Sequence, residues 1–207
     1  MPRPRTISDA EILDAAFRVI TRLGPANMTL ADVAGEVGLS AATLVQRFGS
    51  KRGLLLALCK LGMESVDECF AALRAAHPSP FAALIAAGTE MTRHVSSPEE
   101  LANGLAFLQL DVSDPEFRKI ALENSNRILA GYRSLIADAV AANELISCDE
   151  KKLALAVGAV VGGSLIAWAI HRHGTAECWV RADLSTLLEP YRKKTLQRKS
   201  FKSARRK

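Results

Sequence analysis

The sequence has few aromatic residues, which make up 5% of its 207 positions, and its apolar residues are mostly Ala and Leu. Stretches rich in Val, Ile, Thr and Tyr, which favour strands, are scarce, whereas Ala and Leu favour helices. The hydrophobic content of 49% and the charged content of 24% are ordinary for a globular chain. We therefore expect an all-α globular fold.

The sequence also lacks paired cysteines. Its four cysteines lie far apart and form no C-x-x-C motif: Cys59, Cys69, Cys148 and Cys178. This usage favours reduced thiols in a cytosol. The N-terminal stretch MPRPRTISDAEIL has no long apolar run of the kind found in secretory signals. We therefore expect a cytoplasmic protein.

Motifs of common enzyme classes are missing too, because no G-x-S-x-G, G-x-x-x-x-G-K-[ST] or H-E-x-x-H occurs. We do not expect an enzyme. His171, His173, Glu177 and Cys178 are metal-binding residue types, but side chains at i and i+2 of a helix point to different sides. The helix dipole already accounts for histidines at a helix end. We expect no metal and no cofactor.

One long apolar run is present, since residues 153–170 contain no charge. Its 18 residues lie at the lower limit for a membrane span, and the spacing Gly158-x-x-x-Gly162 suits a membrane helix pair. However, most of its residues are Ala, Gly and Val, which insert weakly, and basic residues flank both ends. We therefore expect a helix buried in a core or subunit interface rather than a membrane segment.

Charge is distributed unevenly along the chain. Residues 1–60 carry 8 basic and 5 acidic side chains, residues 61–190 carry 10 and 17, and residues 191–207 carry 9 and none. An acidic middle therefore lies between two basic ends, which favours an anionic polymer as a partner for one of those ends. The basic tail is interpreted either as a solubilising segment or as a sequence-independent DNA contact.

Helical periodicity, capping residues and Pro or Gly breaks divide the chain into nine helices. Their limits are about 8–24, 29–38, 40–49, 50–76, 80–96, 97–113, 114–145, 149–174 and 176–195. No internal repeat is evident. The domain prediction is a helical head at 1–50, a larger helical domain at 51–197, and a disordered basic tail at 198–207.

The second and third helices have the spacing of a helix-turn-helix. Ala34 is small where the two helices cross, and Gly38 lies where the tight turn requires a positive φ. On a helical wheel, Leu44 and Phe48 face inward, and Thr43 and Arg47 lie on the flanks. Three side chains point away from the core: Ala42, Val45 and Gln46.

These outward side chains suit a DNA groove. Gln46 can form two hydrogen bonds with adenine, and the Ala42 and Val45 methyl groups can touch thymine methyls. Arg47 can pair with guanine or a phosphate, and Lys51 at a helix start suits a phosphate. The alternative is that three amphipathic helices merely begin an all-α core, with Gln46 and Arg47 in solvent.

The segment ILDAAFRVITRLG…MTLADVAGEVGLSAATLVQRFGSKRGLLLAL resembles the N-terminal domain of the TetR family of transcriptional regulators. The shared features are the apolar first helix, the T-x-x-x-[IV]-A core, the G-[VL]-S turn and the closing F-x-S-K. Val45 stands where the family usually has Tyr, Arg47 where it often has His, and Arg52 where Glu or Asp is common. The DNA-contacting positions expected here are Thr29, Ser40, Ala41, Ala42, Thr43, Val45, Gln46, Arg47 and Lys51.

The resemblance further implies that residues 1–50 are a DNA-binding domain and residues 51–197 a ligand-binding and dimerisation domain. It also implies a homodimer, in which the last two helices of each subunit form a four-helix bundle. Four residues are expected to face the partner: Gly158, Gly162, Leu165 and Ala169. Val157, Val161 and Trp168 are expected to face the subunit's own core. Such a dimer presents two recognition helices to successive major grooves, about 34–36 Å apart, on a pseudo-palindromic double-stranded operator.

A small apolar effector is expected to bind among the helices of the second domain. The candidate ligand contacts are Met91, Thr92, Phe107, Asn124 and Trp168. The predicted function is therefore a ligand-responsive transcriptional regulator, with a repressor released from its operator as the leading form. The alternative is an all-α dimeric interaction protein without specific DNA binding.

Overall fold

Capping side chains define most of the helix boundaries in the computed structural model, which describes residues 7–90 and 92–193. Ser8, Ser40, Ser50 and Asp149 each accept a hydrogen bond from a backbone N–H in the first turn of the helix that follows. Such a cap satisfies a donor that has no partner within the helix. Local sequence therefore determines where these helices begin.

The described residues are helical almost throughout, and the predicted all-α fold is confirmed. The ten helices are α1 (Asp9–Asn27), α2 (Leu30–Val37), α3 (Ala41–Phe48), α4 (Lys51–Glu64), α5 (Val66–Ala76), α6 (Pro80–Glu90), α7 (Pro98–Ser113), α8 (Pro115–Ala141), α9 (Glu150–His171) and α10 (Ala176–Leu188). A 3-10 turn at Glu189–Tyr191 follows. An isolated bridge between Leu145 and Arg192 is the only β pairing among the residues that the structure describes.

The fourth predicted helix is two helices, because the chain breaks at Ser65 between α4 and α5. The Ser65 hydroxyl donates a hydrogen bond to the Gly62 carbonyl at 2.8 Å. A hydroxyl bonded to a nearby backbone group competes with the helical pattern. The last two predicted helices are also shorter than expected, and residues 194 and 195 of the ninth lie outside the described ranges.

Helices α1–α3 form the head and pack around fully buried apolar side chains, including Ile12, Val19 and Leu44. This core continues beyond α3, since Leu54 of α4 and Phe117 of α8 belong to the same cluster. The domain boundary expected at residue 50 therefore lies within a continuous apolar core.

The head is also attached to α7. Helix α1 bends at Gly24, whose φ is +75°. The Asn103 side-chain amide on α7 donates hydrogen bonds to the carbonyls of Thr21 at 2.9 Å and Arg22 at 3.1 Å. A Cβ at Gly24 would lie only 2.9 Å from the Asn103 Oδ1 atom. Glycine at position 24 therefore permits both the bend of α1 and the close approach of α7.

Helices α4–α10 form the body, where α6, α8, α9 and α10 surround a second core that includes Leu84, Leu135, Val157 and Leu184. By length and composition, α9 is the one helix in the described ranges that could cross a membrane, and 39% of its most apolar window is buried. One face of α9 packs against α8 and α10.

Candidate nucleic-acid interface

The helix-turn-helix geometry follows from two capped helices and one glycine. The Thr29 hydroxyl accepts from the Asp32 N–H, and the Asp32 carboxylate accepts from the Thr29 backbone N–H, which together form a capping box. These hydrogen bonds from Thr29 lower the pKa of Asp32. Gly38 ends α2 with a φ of +68°, and Ser40 then caps α3. The turn thus has the left-handed glycine that the sequence predicted.

Helix α3 presents a small exposed face. Leu44 is fully buried and Phe48 is half-buried, as the helical wheel predicted, whereas Val45 is 48% exposed. Ala42 and Gln46 are exposed on the same side. Within the described part of the chain, the Gln46 amide makes no hydrogen bond. This face is therefore available to an external partner.

The hydroxyl groups expected at the interface are held by local contacts. The Ser40 and Thr43 hydroxyls lie 2.9 Å apart, and the Thr29 hydroxyl donates to Asp32 at 2.6 Å. Ala41 is half-buried beside them in the first turn of α3. These residues lie at the N-termini of α2 and α3, where backbone N–H groups favour an anion.

Arg47 is tied back to the start of α1. Its Nε atom lies 2.8 Å from the Asp9 carboxylate, and its Nη1 atom donates to the Ile7 carbonyl at 2.7 Å. The guanidinium therefore braces the head internally, a role that sequence spacing did not indicate. Any contact with DNA requires Arg47 to leave these partners or to share them.

Lys51 and Arg52, in the first turn of α4, differ in their partners. The Lys51 ammonium donates to the Ala26 carbonyl at 2.8 Å. Arg52 donates to both oxygens of Asp114 and, at 2.8 Å, to Glu116. These contacts raise the pKa of Arg52 and lower that of Asp114. Lys51 thus lies at the head, whereas Arg52 joins α4 to the start of α8.

The four residues of α9 that were predicted to face a partner subunit are not equally exposed. Leu165 is 6% exposed and lies in the subunit core, Ala169 packs against that core, and Gly158 is half-buried near Leu129. Only Gly162 of the four predicted residues is exposed. The exposed stripe of α9 consists of Leu155, Ala159, Gly162, Gly163, Ile166 and Ile170. The four predicted residues lie at different depths because α9 is apolar on every side, so the wheel could not distinguish its faces. Their contact with a partner subunit stays a prediction.

The predicted ligand contacts do not form one site. Thr92 and Trp168 line a cavity of about 660 Å³ between α6, α9 and α10. Phe107 lines a groove between α1, α4 and α7, and Asn124 lines two further grooves beside α8. The structure brings only Thr92 and Trp168 to one cavity, because helical periodicity does not show which faces meet; the ligand contacts of these four residues stay a prediction. Met91 lies outside the described residues.

The histidine pair near the end of α9 packs on an aromatic ring. The Trp179 ring stacks on His171 at 5.2 Å and meets the edge of His173 at 5.0 Å. No cluster of three or more metal-ligating side chains occurs within the described ranges. These contacts give the histidines a packing role.

The architecture is that of a helix-turn-helix protein with a helical body. The family profile of bacterial regulatory proteins, tetR family, matches residues 12–58. The regulator BetI from Burkholderia thailandensis is 31% identical over 138 residues, which cover 65% of this chain and 68% of the relative. The chain belongs to the tetR family.

A second relative, BetI from Agrobacterium fabrum, is 32% identical over 120 residues, which cover 56% of this chain and 57% of the relative. The chain therefore spans just over half the length of that protein. The matched relatives are HTH-type transcriptional regulators rather than enzymes, in agreement with the sequence expectation.

Solved structures share the whole fold. A transcriptional regulator from Saccharomonospora viridis in complex with choline has a TM-score of 0.74 at 21% identity, covering 87% of this chain and 95% of that one. FadR from Bacillus subtilis in complex with stearoyl-CoA has a TM-score of 0.68 at 17% identity, covering 87% and 97%. These similarities extend the shared fold beyond the head to the body.

Proposed function

We propose that the protein is a homodimeric DNA-binding transcriptional regulator, a repressor that leaves its operator when a small molecule binds its body. The observation that carries this proposal is the exposed face of α3, which is formed by Ala42, Val45 and Gln46. A helix that presents short apolar groups and one amide that makes no hydrogen bond in the described residues suits contact with base edges in a major groove.

Individual residues have distinct roles in this proposal. Gln46 pairs with a base, and the Ala42 and Val45 methyl groups contact thymine. Lys51 moves from the Ala26 carbonyl to a backbone phosphate, which exchanges one hydrogen bond for a charge-assisted one. Arg47 stabilises the head through Asp9 and adds positive charge near the DNA.

The dimer is proposed to form through the exposed stripe of α9. Gly162 has no neighbouring atom within 4 Å of an added Cβ, so its surroundings leave room for a partner helix to approach. Burial of Leu155, Ile166 and Ile170 against their symmetry mates removes a row of exposed apolar side chains from water. This assembly also accounts for the apolarity of α9 in a cytoplasmic protein without a membrane.

The effector is proposed to bind in a groove of the body. Two proteins of similar fold are complexed with ligands of opposite charge, choline and stearoyl-CoA. The chemical class of this protein's effector therefore has to be inferred from its own residues. Helices α4 and α7 connect the body to the head through Lys51, which bonds to Ala26, and Asn103, which bonds to Thr21 and Arg22. A typical coupling of about 1–3 kcal/mol changes DNA affinity by roughly 5–150-fold.

A mobility-shift titration with DNA from upstream of the protein's own gene and of its neighbours tests this function. We expect a saturable, sequence-selective shift at moderate salt, and Gln46→Ala provides the matched control. If no duplex from these regions shows selective binding, the proposal is wrong. An intact dimer without selective DNA binding supports the alternative, an all-α interaction protein.

A further inference from the structure

A groove of about 480 Å³ lies where the head meets the body, between the end of α1, the start of α4, α7 and the start of α8. Its size is within the range of about 300–1,000 Å³ that is typical of small-molecule sites. Leu55 and Phe117 belong to the buried core that the head and the body share. The apolar residues that line the groove are Pro25, Ala26, Leu55, Ala106, Leu110 and Phe117. The groove is therefore a mostly apolar site at the joint between the two units.

Lys51 supplies this groove with a positive charge, and among the described residues no carboxylate forms an ion pair with it. An ammonium has three N–H donors, and the acceptor that the structure shows for Lys51 is the Ala26 carbonyl at 2.8 Å. The Lys51 charge contributes to the lowered pKa of Asp32, but the Asp32 carboxylate is bonded to Thr29. Both Lys51 and Ala26 line the groove. The groove thus has an uncompensated cation beside its apolar walls.

The other charged groups at the groove are paired with one another. Arg52 donates to Asp114 and Glu116, and its guanidinium carbon lies 5.5 Å from the centroid of the Phe117 ring. The Arg52 contact lowers the pKa of Asp114, so this carboxylate is ionised at neutral pH. Because two carboxylates already surround Arg52, an incoming anion is favoured at Lys51 rather than at Arg52.

We propose that this groove binds a compact apolar monocarboxylate, with its carboxylate at the Lys51 ammonium and its hydrocarbon part against Leu55 and Leu110. A charge-assisted hydrogen bond to a carboxylate is stronger than the bond of Lys51 to a neutral carbonyl. Burial of the hydrocarbon part removes apolar surface from water. A ligand with more negative charge, such as a phosphate ester, would meet repulsion from Asp114. The proposal names the chemical class of the effector and rests on the proposed function for its regulatory consequence.

The ligand and DNA compete for the same ammonium. In the proposed function Lys51 contacts a backbone phosphate, so a carboxylate bound to Lys51 removes that contact directly. A phosphate contact adds affinity for every sequence and increases the dependence of binding on salt. The bound carboxylate therefore weakens the binding of operator and scrambled DNA alike, and DNA weakens the binding of the carboxylate by the same factor.

The test of the site compares a carboxylate with its neutral amide. Calorimetric titrations of the full chain use 4-phenylbutanoate and 4-phenylbutanamide, which have nearly the same shape and differ by the negative charge. The pair 2-naphthoate and 2-naphthamide repeats the comparison with a rigid ligand. We expect each carboxylate to bind saturably and about 5- to 30-fold more tightly than its amide.

Two matched pairs of variants locate the site. Lys51→Met removes the charge and should abolish the preference for the carboxylate, whereas Lys60→Met removes an exposed lysine farther along α4 and should keep it. Ala106→Phe places a ring in the groove and should abolish saturable binding of both isosteres. Ala102→Phe adds the same ring at an exposed position of α7 outside the groove and should leave binding unchanged. Thermal melts check that each variant is folded.

The outcomes separate this inference from the proposed function. Loss of the carboxylate preference in Lys51→Met, with the preference kept in Lys60→Met, supports the site even if no operator is bound. Absence of saturable binding by both carboxylates, equal binding of carboxylate and amide, or an unchanged preference in Lys51→Met overturns the site, even if operator binding is normal.

Fluorescence anisotropy with the wild-type protein tests the competition. Saturating 4-phenylbutanoate should weaken the binding of both the operator and a scrambled duplex by about 5- to 10-fold and reduce the salt slope by about one. Lys51-dependent carboxylate binding that leaves DNA affinity unchanged, or that weakens binding of the operator alone, overturns direct competition for Lys51.

Discussion

Polar side chains in the head mostly act within their own helices, whereas those in the body connect distant parts of the chain. Thr29 bonds to Asp32 and Ser40 to Thr43, in each case three residues away. In the body, Arg74 reaches Asp138, and Glu144 accepts hydrogen bonds from the Ser79 hydroxyl and the Phe81 N–H. The head is thus shaped locally, and the body depends on tertiary contacts.

Arg47 and Lys51 extend beyond the local contacts of the head. Arg47 bonds to Asp9 and Ile7 within the head, whereas Lys51 of α4 bonds to Ala26 of α1 and so joins the body to the head. Arg52 follows the pattern of the body, since it extends to Asp114 and Glu116 at the start of α8. We therefore expect changes in the body to alter assembly and head position, and changes on the exposed face of α3 to alter DNA recognition.

The largest effect is expected from Gly162→Leu on the exposed stripe of α9. An added Cβ there has no atom of its own subunit within 4 Å, and a leucine side chain on this exposed stripe would hold a partner helix away. We expect a monomer at micromolar concentration, measured by sedimentation or light scattering, with loss of operator binding. Gly104→Leu is the control, because it adds the same group to an exposed glycine of α7. A Gly162→Leu dimer as tight as the wild type would place the interface elsewhere.

Lys51→Ala should weaken DNA binding by about 5- to 10-fold on every sequence and reduce the salt slope by about one, because it removes a phosphate contact. Fluorescence anisotropy on operator and scrambled duplexes at several salt concentrations measures both quantities. Lys60→Ala removes an exposed lysine farther along α4 and should leave them unchanged. An unaltered salt slope in Lys51→Ala would show that this lysine only caps α1.

Asp114→Ala should lower the melting temperature by a few degrees at pH 7, because it removes both the side chain that caps α8 and a partner of Arg52. The Arg52 contact lowers the pKa of the Asp114 carboxyl. Its stabilising contribution is therefore complete above the unfolded-state pKa and is lost as the pH falls through the lower folded-state value. Thermal melts at decreasing acid pH should show a smaller difference in melting temperature between the variant and the wild type. Glu116→Gln, which removes an Arg52 partner without a helix cap, should cost less; an equal cost would argue against the capping role.

The smallest effect is expected for Asp111→Asn on stability. Burial raises the pKa of Asp111, so the ionised carboxylate destabilises the folded state at neutral pH. The neutral amide should leave the melting temperature unchanged or slightly higher at pH 7. This difference should vanish below the ordinary pKa of the carboxyl, where the wild-type group is protonated. A clear loss of stability in the variant would indicate a structural partner for Asp111.

The contacts that sequence could predict are those within one turn of a helix. Ser8 with Glu11, Thr29 with Asp32, and Gly38 after α2 all act within three or four residues. Their spacing follows from helix geometry, so the starts of α1, α2 and α3 agree with the predicted ones.

The remaining features depend on how helices meet, which helical period does not specify. Arg52 and Asp114 are 62 residues apart, and Asp111 and Cys59 come together only when α7 packs against α4. The wheel could not foresee that Leu165 is buried while Gly162 is exposed, because α9 is apolar all round. A carboxylate between apolar residues, such as Asp111 beside Leu110 and Val112, was a signal in the sequence for a partly buried acid.

The account's central claim is that α3 recognises base sequence, and Gln46→Ala tests it most directly. The measurement is the affinity of wild-type and variant dimers for the operator and for a scrambled duplex at one fixed salt concentration. We predict a loss of about 1–3 kcal/mol on the operator and little change on the scrambled duplex. Equal losses on both duplexes, or no loss on either, would contradict base recognition by Gln46.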